Sequence, residues 1–336
     1  MKNLSDLGEF GLIKRFSQQF VSDLPGGITG IGDDCAVIPL NEKESLLFTT
    51  DMLIQDRHFL LDRIGPRDLG VKSLAVNLSD IAAMGGEPHS AFLSIGVPAG
   101  LEIRWMDDFF AGIRELCQDS GTLFLGGDTT RSPDRLVISM GVIGKADPSK
   151  IKTRSTALPG DVICVNDLVG DSGGGMRILV DQKPLDQDAS YLVARHHLPR
   201  AHLEEGKWLA RREQVHAMID LSDGIESDIR RIMESSACGA HIELSRIPQS
   251  EQLLRVCDTY QWDARELGIS GGEDYCLMFT LREQDFQELE AAYAGQFGRS
   301  LYRIGRITGD REVLRFTRDG KAVEFGKHGW DHFKST

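Results

Sequence analysis

Cysteine is scarce in this chain of 336 residues, and the six present (Cys35, Cys117, Cys164, Cys238, Cys257 and Cys276) are scattered with no C-x-x-C pair. That excludes a disulfide-stapled scaffold and reads as reduced, packed thiols. Nine histidines include one cluster, His196, His197 and His202, but no cysteine or acidic partner stands at zinc-finger or H-E-x-x-H spacing. Zinc is therefore not expected. No apolar run approaches the roughly 20 residues that cross a bilayer, and the first ten residues carry Asp6 and Glu9 instead of a signal core. The expectation is a cytoplasmic protein. Positive charge is also short: 38 Lys and Arg against 51 Asp and Glu leave a net charge of −13. That sign repels nucleic acid and anionic membranes, so any phosphate handled here needs local cations. The sequence has no G-x-x-x-x-G-K-[ST], no G-x-G-x-x-G, and neither H-R-D nor D-F-G. P-loop, dinucleotide-binding and protein-kinase readings all lose their signature.

What is present is ordinary globular material: 41% hydrophobic residues, 26% charged, and 36 Gly against 11 Pro. At about 150 residues per domain the length suggests two domains. Leu12, Ile13, Phe16 and Phe20 fall on one face at helical spacing and predict a helix over 5–20. Pro66 opens a long helix that runs to Met84 and is stopped by Gly85-Gly86. Another helix is expected over 101–119, with strands at 45–50, 91–97, 122–125 and 135–144. Composition shifts at Asp147-Pro148-Ser149-Lys150, which puts a boundary near 150 and divides the chain into 1–149 and 150–336. The second part again mixes helices and strands, and Asp319-Gly320 marks a closing hairpin. The fold class expected is α/β (α+β) in two domains.

The chemistry resides in carboxylates. Asp33 and Asp34 follow a Gly-rich turn, Asp51 closes the run 45–50, Asp128 follows Gly126-Gly127, and Asp220 and Asp223 follow Met218-Ile219. Taken singly, Asp33, Asp51 and Asp220 are better explained by turns and caps. Their recurrence at strand ends suggests a negative pocket for a hard cation, with Mg2+ the natural candidate and Thr49 and Thr50 as further oxygens. Asp80 lies inside the apolar helix 74–84, on a face with Ser73, Asn77 and Met84. It needs a cation or hydrogen bonds there, unless it serves only in capping or packing. Gly126-Gly127 and the run from Gly170 to Gly175 offer backbone N–H groups to an anion, although close packing explains each of them better.

The motif set Gly30-Ile31-Gly32-Asp33-Asp34-Cys35, Thr49-Thr50-Asp51, Ala75 to Gly85, Gly126-Gly127-Asp128-Thr129-Thr130, Ile219 to Gly224 and Ser270-Gly271-Gly272-Glu273-Asp274-Tyr275 resembles the thiamine-monophosphate kinases. The likeness runs from Gly8-Glu9-Phe10 to Gly329-Trp330-Asp331-His332-Phe333. It implies ATP-dependent phosphorylation of thiamine monophosphate to thiamine diphosphate, with several Mg2+ ions, on the fold shared with aminoimidazole ribonucleotide synthetase. That fold pairs its N-terminal sheets in a homodimer. The first part would then be the ATP- and Mg2+-binding, dimerising domain, and the second would complete the substrate and nucleotide site. By position the resemblance implies that Asp34, Thr49, Thr50, Asp51, Asp80, Asp128, Asp220 and Asp223 hold metal. It assigns Gly127, Asp128, Arg154 and Ser222 to the nucleotide, and His58, Glu273 and Trp330 to the substrate, with Trp330 against an aromatic ring of thiamine. No general base is implied.

Two positions depart from the family pattern. Ser120 stands where relatives often carry Tyr near the nucleotide, and Cys276 where Glu commonly follows. Two other readings keep the same pockets: another ATP-dependent synthetase of the superfamily, such as a selenophosphate or aminoimidazole ribonucleotide synthetase, or a noncatalytic nucleotide or thiamine-phosphate sensor. Against the first, the N-terminal segment lacks the catalytic Cys or selenocysteine and nearby Lys of a selenophosphate synthetase.

Overall fold

The computed structural model describes residues 4–20 and 23–323. Its first part contains α1 (Leu4–Phe20), β1 (Ala36–Pro39), β2 (Ser45–Ile54), α2 (Pro66–Ala83), β3 (Glu87–Pro98), α3 (Ile103–Ser120), β4 (Leu123–Ser132) and β5 (Val137–Ala146). The second contains β6 (Val162–Val165), α4 (Asp171–Val180), α5 (Gln187–His197), α6 (Leu203–Ala210), β7 (Val215–Asp220), α7 (Ile225–Ser236) and β8 (Gly239–Glu243). There follow α8 (Glu251–Tyr260), α9 (Ala264–Ser270), β9 (Leu277–Leu281), α10 (Phe286–Phe297), β10 (Tyr302–Thr308), β11 (Leu314–Arg318) and β12 (Lys321–Val323).

The strands form a five-stranded sheet, β1-β2-β5-β3-β4, and a seven-stranded sheet, β12-β11-β8-β10-β6-β9-β7. Only β3 with β4, and β8 with β11, pair in parallel. The protein is thus α+β with mostly antiparallel sheets, and the rule for strand ends of open parallel sheets is not what gathers its acids. Two strands outrun their sequence prediction: β2 continues through Asp51 to Ile54 and β4 through Asp128 to Ser132. Both aspartates therefore lie within strands, because the ladder to β5 and β3 outweighs the weak strand preference of Asp and Gly. The Asp319-Gly320 turn does close a hairpin, with both residues at positive φ as a two-residue turn requires.

Helix α2 is the hub. Leu74, Leu78 and Ile81 join the core under the first sheet, whereas Ala82 and Ala83 join Val162, Cys164 and Phe279 of the second. Each fully buried Leu or Ile contributes roughly 1.5–3 kcal/mol, so this helix is firmly seated. Small residues allow its close crossings. A Cβ on Gly112 of α3 would sit 2.0 Å from the Arg67 carbonyl oxygen, and one on Gly206 of α6 would sit 2.2 Å from that of Ala82. On α3, Phe109 and Ile113 are buried as their spacing predicts. The helix expected over 5–20 is present as α1, but its apolar face is not buried: Ile13, Phe16 and Phe20 are exposed by 44%, 49% and 60%. Helix α1 is kinked at Gly8 and stands at the mouth of the cavity described next, outside the two cores.

Candidate active site

Asp34, Asp80 and Asp220 each place a carboxylate oxygen within 4.8 Å of the others. They come from three places: the turn before β1, the last turn of α2, and the C-terminal end of β7. Each is oriented by a neighbour. Thr49 on β2 donates its hydroxyl to Asp80, Ser79 Oγ donates to Asp220 Oδ2 at 2.6 Å, and the Arg154 guanidinium donates to Asp34. Asp51 is fixed through its backbone, whose N–H donates to Asn77 Oδ1 at 3.0 Å. Asn77 in turn donates to the Ser73 carbonyl at 3.2 Å, so the polar residues of this otherwise apolar helix are satisfied without breaking it. Met84, expected on the same face, turns into the first core.

These acids line one cavity of about 930 Å3. Thr49, Thr50, Asp51, His58, Arg154, Ser222, Asp223 and Glu273 line it as well. Eleven of the fourteen predicted site residues line this cavity. Thr50 differs from Thr49 in that its hydroxyl is engaged with the Met140 carbonyl at 3.0 Å. His58 Nδ1 accepts the Ile54 N–H at 2.9 Å, which holds the ring against the end of β2. Asp223 receives the Arg231 guanidinium, and its N–H donates to Asp228 Oδ2 at 3.1 Å.

Gathering carboxylates in a buried place has an electrostatic cost that shows in their protonation. Burial, then the Asp34 charge, pushes Asp33 up to about 7. Burial and Asp34 likewise push Asp220 up to about 7, and burial with Asp223 raises Asp51 to about 6. Asp80 is held well above the usual carboxylate range by burial, then by Asp51 and Asp220. One oxygen, Asp34 Oδ2, is buried with no hydrogen-bond partner among the described residues. An all-oxygen donor set with an unpartnered carboxylate oxygen and mutually repelling charges fits a hard divalent cation such as Mg2+.

Gly127 and Asp128 are placed elsewhere. They lie on β4, the exposed edge of the first sheet, where a Cβ on Gly127 would fall 1.7 Å from the Leu93 carbonyl oxygen. Asp128 is in register with Ser94, Ser139 and Met52, on the face away from α2. The Gly170–Gly175 run also packs: Gly173 abuts Gly271, and Gly175 abuts Leu192. The N–H groups of Gly170 and Ser172 are taken by Asp274, at 2.7 and 3.2 Å. This second carboxylate of the Glu273-Asp274 pair therefore has a structural task.

Two family models match the chain: AIR synthase related protein, N-terminal domain, over residues 32–146, and AIR synthase related protein, C-terminal domain, over 159–316. The thiamine-monophosphate kinase of Salmonella typhimurium (strain LT2) is 40% identical over 328 residues, which is 97% of this chain and 98% of that protein. This chain belongs to the thiamine-monophosphate kinase family. Among solved structures, one described as AaThiL complexed with AMPPCP and TMP superposes with a TM-score of 0.86 at 30% identity, covering 99% of each chain. The thiamine-monophosphate kinase of Stenotrophomonas maltophilia K279a matches with a TM-score of 0.76 at 32% identity, over 94% of this chain and 98% of that one.

Within the family frame, neither of the two departures lines the cavity. Ser120 ends α3 and donates to the Leu116 carbonyl at 2.6 Å, beside Thr122 Oγ1 at 2.7 Å. Cys276 is fully buried in the second core. Trp330 and the segment 329–333 lie outside the described residues, as do the side chains of Glu9 and Phe10. Sequence reasoning missed His196 and Arg231, which line the cavity, and Lys72, which is buried behind Glu273. Lys72 was hidden in an apolar helix, and the histidine pair gave no metal spacing to follow.

Proposed function

We infer that this chain is a thiamine-phosphate kinase: it transfers the γ-phosphoryl group of ATP to thiamine monophosphate, releasing thiamine diphosphate and ADP. The observation that carries this reading is the acid constellation of Asp34, Asp80 and Asp220 inside one large cavity, on a chain whose whole length aligns with thiamine-monophosphate kinases. A cavity of about 930 Å3 lies at the upper end of ligand-sized pockets.

The acceptor oxygen needs no general base, because a phosphate monoester with a second pKa of about 6 is mostly dianionic at neutral pH. Repulsion is the barrier to overcome. Two groups of charge about −2 held ~4 Å apart repel by roughly 16 kcal/mol at an effective dielectric of 20. Asp34, Asp80 and Asp220, with Asp51, Asp223 and Thr49 beside them, would hold Mg2+, which when bound neutralises the two polyanions and favours in-line transfer. Arg154 and Arg231 line the same cavity and supply fixed positive charge. Arg154 also keeps the Gly-rich turn in place, since its N–H donates to Asp33 Oδ2 at 3.1 Å. Ser222 is positioned as a nucleotide contact, and His58 and Glu273 as acceptor contacts.

The protein works in the cytoplasm as a homodimer, in which residues 1–149 supply the ATP- and Mg2+-binding, dimerising part and residues 150–336 complete the site. Gly127 and Asp128 then meet the nucleotide from the paired sheet edge, and Trp330 meets thiamine from the C-terminal segment. The test is an assay of purified protein with ATP, Mg2+ and thiamine monophosphate, with thiamine diphosphate followed by chromatography. Product that requires all three components, with thiamine itself inert as acceptor, is expected. ATP binding without product would instead identify a sensor, and product only from other acceptors would identify a different synthetase.

A further inference from the structure

Lys72 lies on α2 with no exposed side-chain surface. A buried ammonium without a partner is strongly unfavourable, so the identity of its partner is informative. That partner is Glu273, 201 residues further along, whose Oε2 is 3.2 Å from Lys72 Nζ. The same Oε2 lies 3.2 Å from Nδ1 of His196 on α5, which is also 3.0 Å from Ser172 Oγ. Burial, then the Lys72 charge, holds the His196 imidazole well below its usual range, so Lys72 is the cation beside Glu273.

The backbone around Glu273 is unusual. Gly272, Glu273 and Tyr275 have φ of 65°, 56° and 51°. Non-glycine residues in this region store strain and persist where their surroundings dictate it. Two bonds pin the loop to the Asp220–Asp223 segment: the Glu273 N–H donates to the Ser222 carbonyl at 2.7 Å, and the Tyr275 N–H to the Leu221 carbonyl at 2.9 Å. Glu273 thereby lines the cavity with one oxygen, Oε2, anchored from behind by Lys72, which leaves Oε1 for the cavity side.

We propose that Lys72 is a positioning residue of the acceptor site: it anchors Oε2 of Glu273 so that Oε1 accepts a hydrogen bond from the exocyclic amine of the acceptor's aminopyrimidine ring. This rests on the reading of the chain as a kinase of thiamine monophosphate. The acceptor offers a carboxylate two groups, a cationic thiazolium ring and that amine. Because the Lys72 ammonium already balances the Glu273 charge, Oε1 is better suited to the directional amine contact than to acting as sole counter-ion. Lys72 shares its helix with Asn77, Ser79 and Asp80, so one rigid element sets both the metal-facing acids and the acceptor-facing carboxylate.

The experiment compares Lys72→Met, Glu273→Gln and the double variant, varying thiamine monophosphate and ATP separately. Lys72→Met is expected to raise KM for thiamine monophosphate about tenfold or more, the size of a lost charge-assisted contact, and to leave KM for ATP within about twofold. In the Glu273→Gln background the same change is expected to alter the acceptor KM by less than about twofold. Equal rises in both KM values, or an undiminished effect in that background, would overturn the proposal. If Lys72→Met misfolds because Glu273 is left unpaired, the double variant restores a neutral pair. Its circular dichroism and kinetics should match Glu273→Gln, and a further loss of acceptor affinity would sink the idea. An unsubstituted chain that makes no thiamine diphosphate overturns the proposed function and this inference with it. Normal product formation with additive variants overturns the inference alone.

Discussion

Ser79 Oγ donates to Asp220 Oδ2 at 2.6 Å, joining α2 of the first part to the end of β7 in the second across 141 residues of sequence. Both side chains are buried, so the hydroxyl fixes the direction of a carboxylate that faces Asp34 and Asp80. Outer partners of ion-binding carboxylates typically change affinity or activity by 10- to 100-fold. Ser79→Ala should therefore weaken Mn2+ binding, followed by calorimetry, by roughly tenfold, at a stability cost of about 1–2 kcal/mol. Unchanged Mn2+ affinity would show that Asp220 needs no orientation.

Asp80→Asn separates function from stability. The carboxylate sits among like charges that, together with burial, hold it well above its usual range, so its removal relieves repulsion in the metal-free protein. The variant should melt at the same temperature or higher without divalent ions, yet lose roughly a hundredfold or more in turnover. A clear fall in melting temperature would assign Asp80 to packing.

Acidity should tune metal binding in a defined window. Asp33 and Asp220 rise from 3.8 to about 7, and Asp51 to about 6, chiefly through burial. Each holds its proton more tightly folded than unfolded, so their contribution to metal-free stability is present below pH ~4 and is lost as pH rises through 6 and 7. A divalent ion reverses this by replacing the protons. The rise in melting temperature on adding Mn2+ should be small at pH 5.5 and grow toward pH 7.5. A buried neutral His197, pushed down to about 4 by burial and Lys72, affects both arms equally and cancels in that difference. A metal effect independent of pH would mean that these carboxyls do not bind it.

Much of this was legible in the sequence for local reasons. Pro66 and Gly85 bracket α2, the 3.6-residue spacing of Phe109 and Ile113 marks the inner face of α3, and Asp319-Gly320 names its hairpin. The acids could be picked out because several charges next to apolar runs are hard to explain singly. Hidden features depend on distant partners. The extension of β2 and β4 through Asp51 and Asp128 is set by cross-strand neighbours, and the helices α5, α8 and α9 gain their burial from one another. Lys72 looked like an ordinary helix residue, because nothing local reveals that Glu273 stands behind it. The exposed Ile13, Phe16 and Phe20 show the converse: helical spacing defined a face but not what covers it.

Asp128 on β4 lies apart from the cavity that gathers the other acids. It occupies the open face of the first sheet, whose exposed apolar residues include Met52, Phe92, Leu123 and Leu125. Phe92 lies over Gly141, where a Cβ would come within 2.4 Å of its ring, so the sheet is built to seat that aromatic on its uncovered side. An apolar sheet face beside an unpaired edge strand is a common pairing surface, and pairing would place Asp128 in an interface groove. Leu125→Asp should therefore give a 37.2 kDa monomer by light scattering, with its circular dichroism retained and its turnover lost. Asp128→Asn should remain paired, melt within about 0.5 kcal/mol of the unsubstituted protein as exposed substitutions do, and still lose turnover. If the Leu125→Asp monomer keeps full activity, each chain holds a complete site and Asp128 lies outside it.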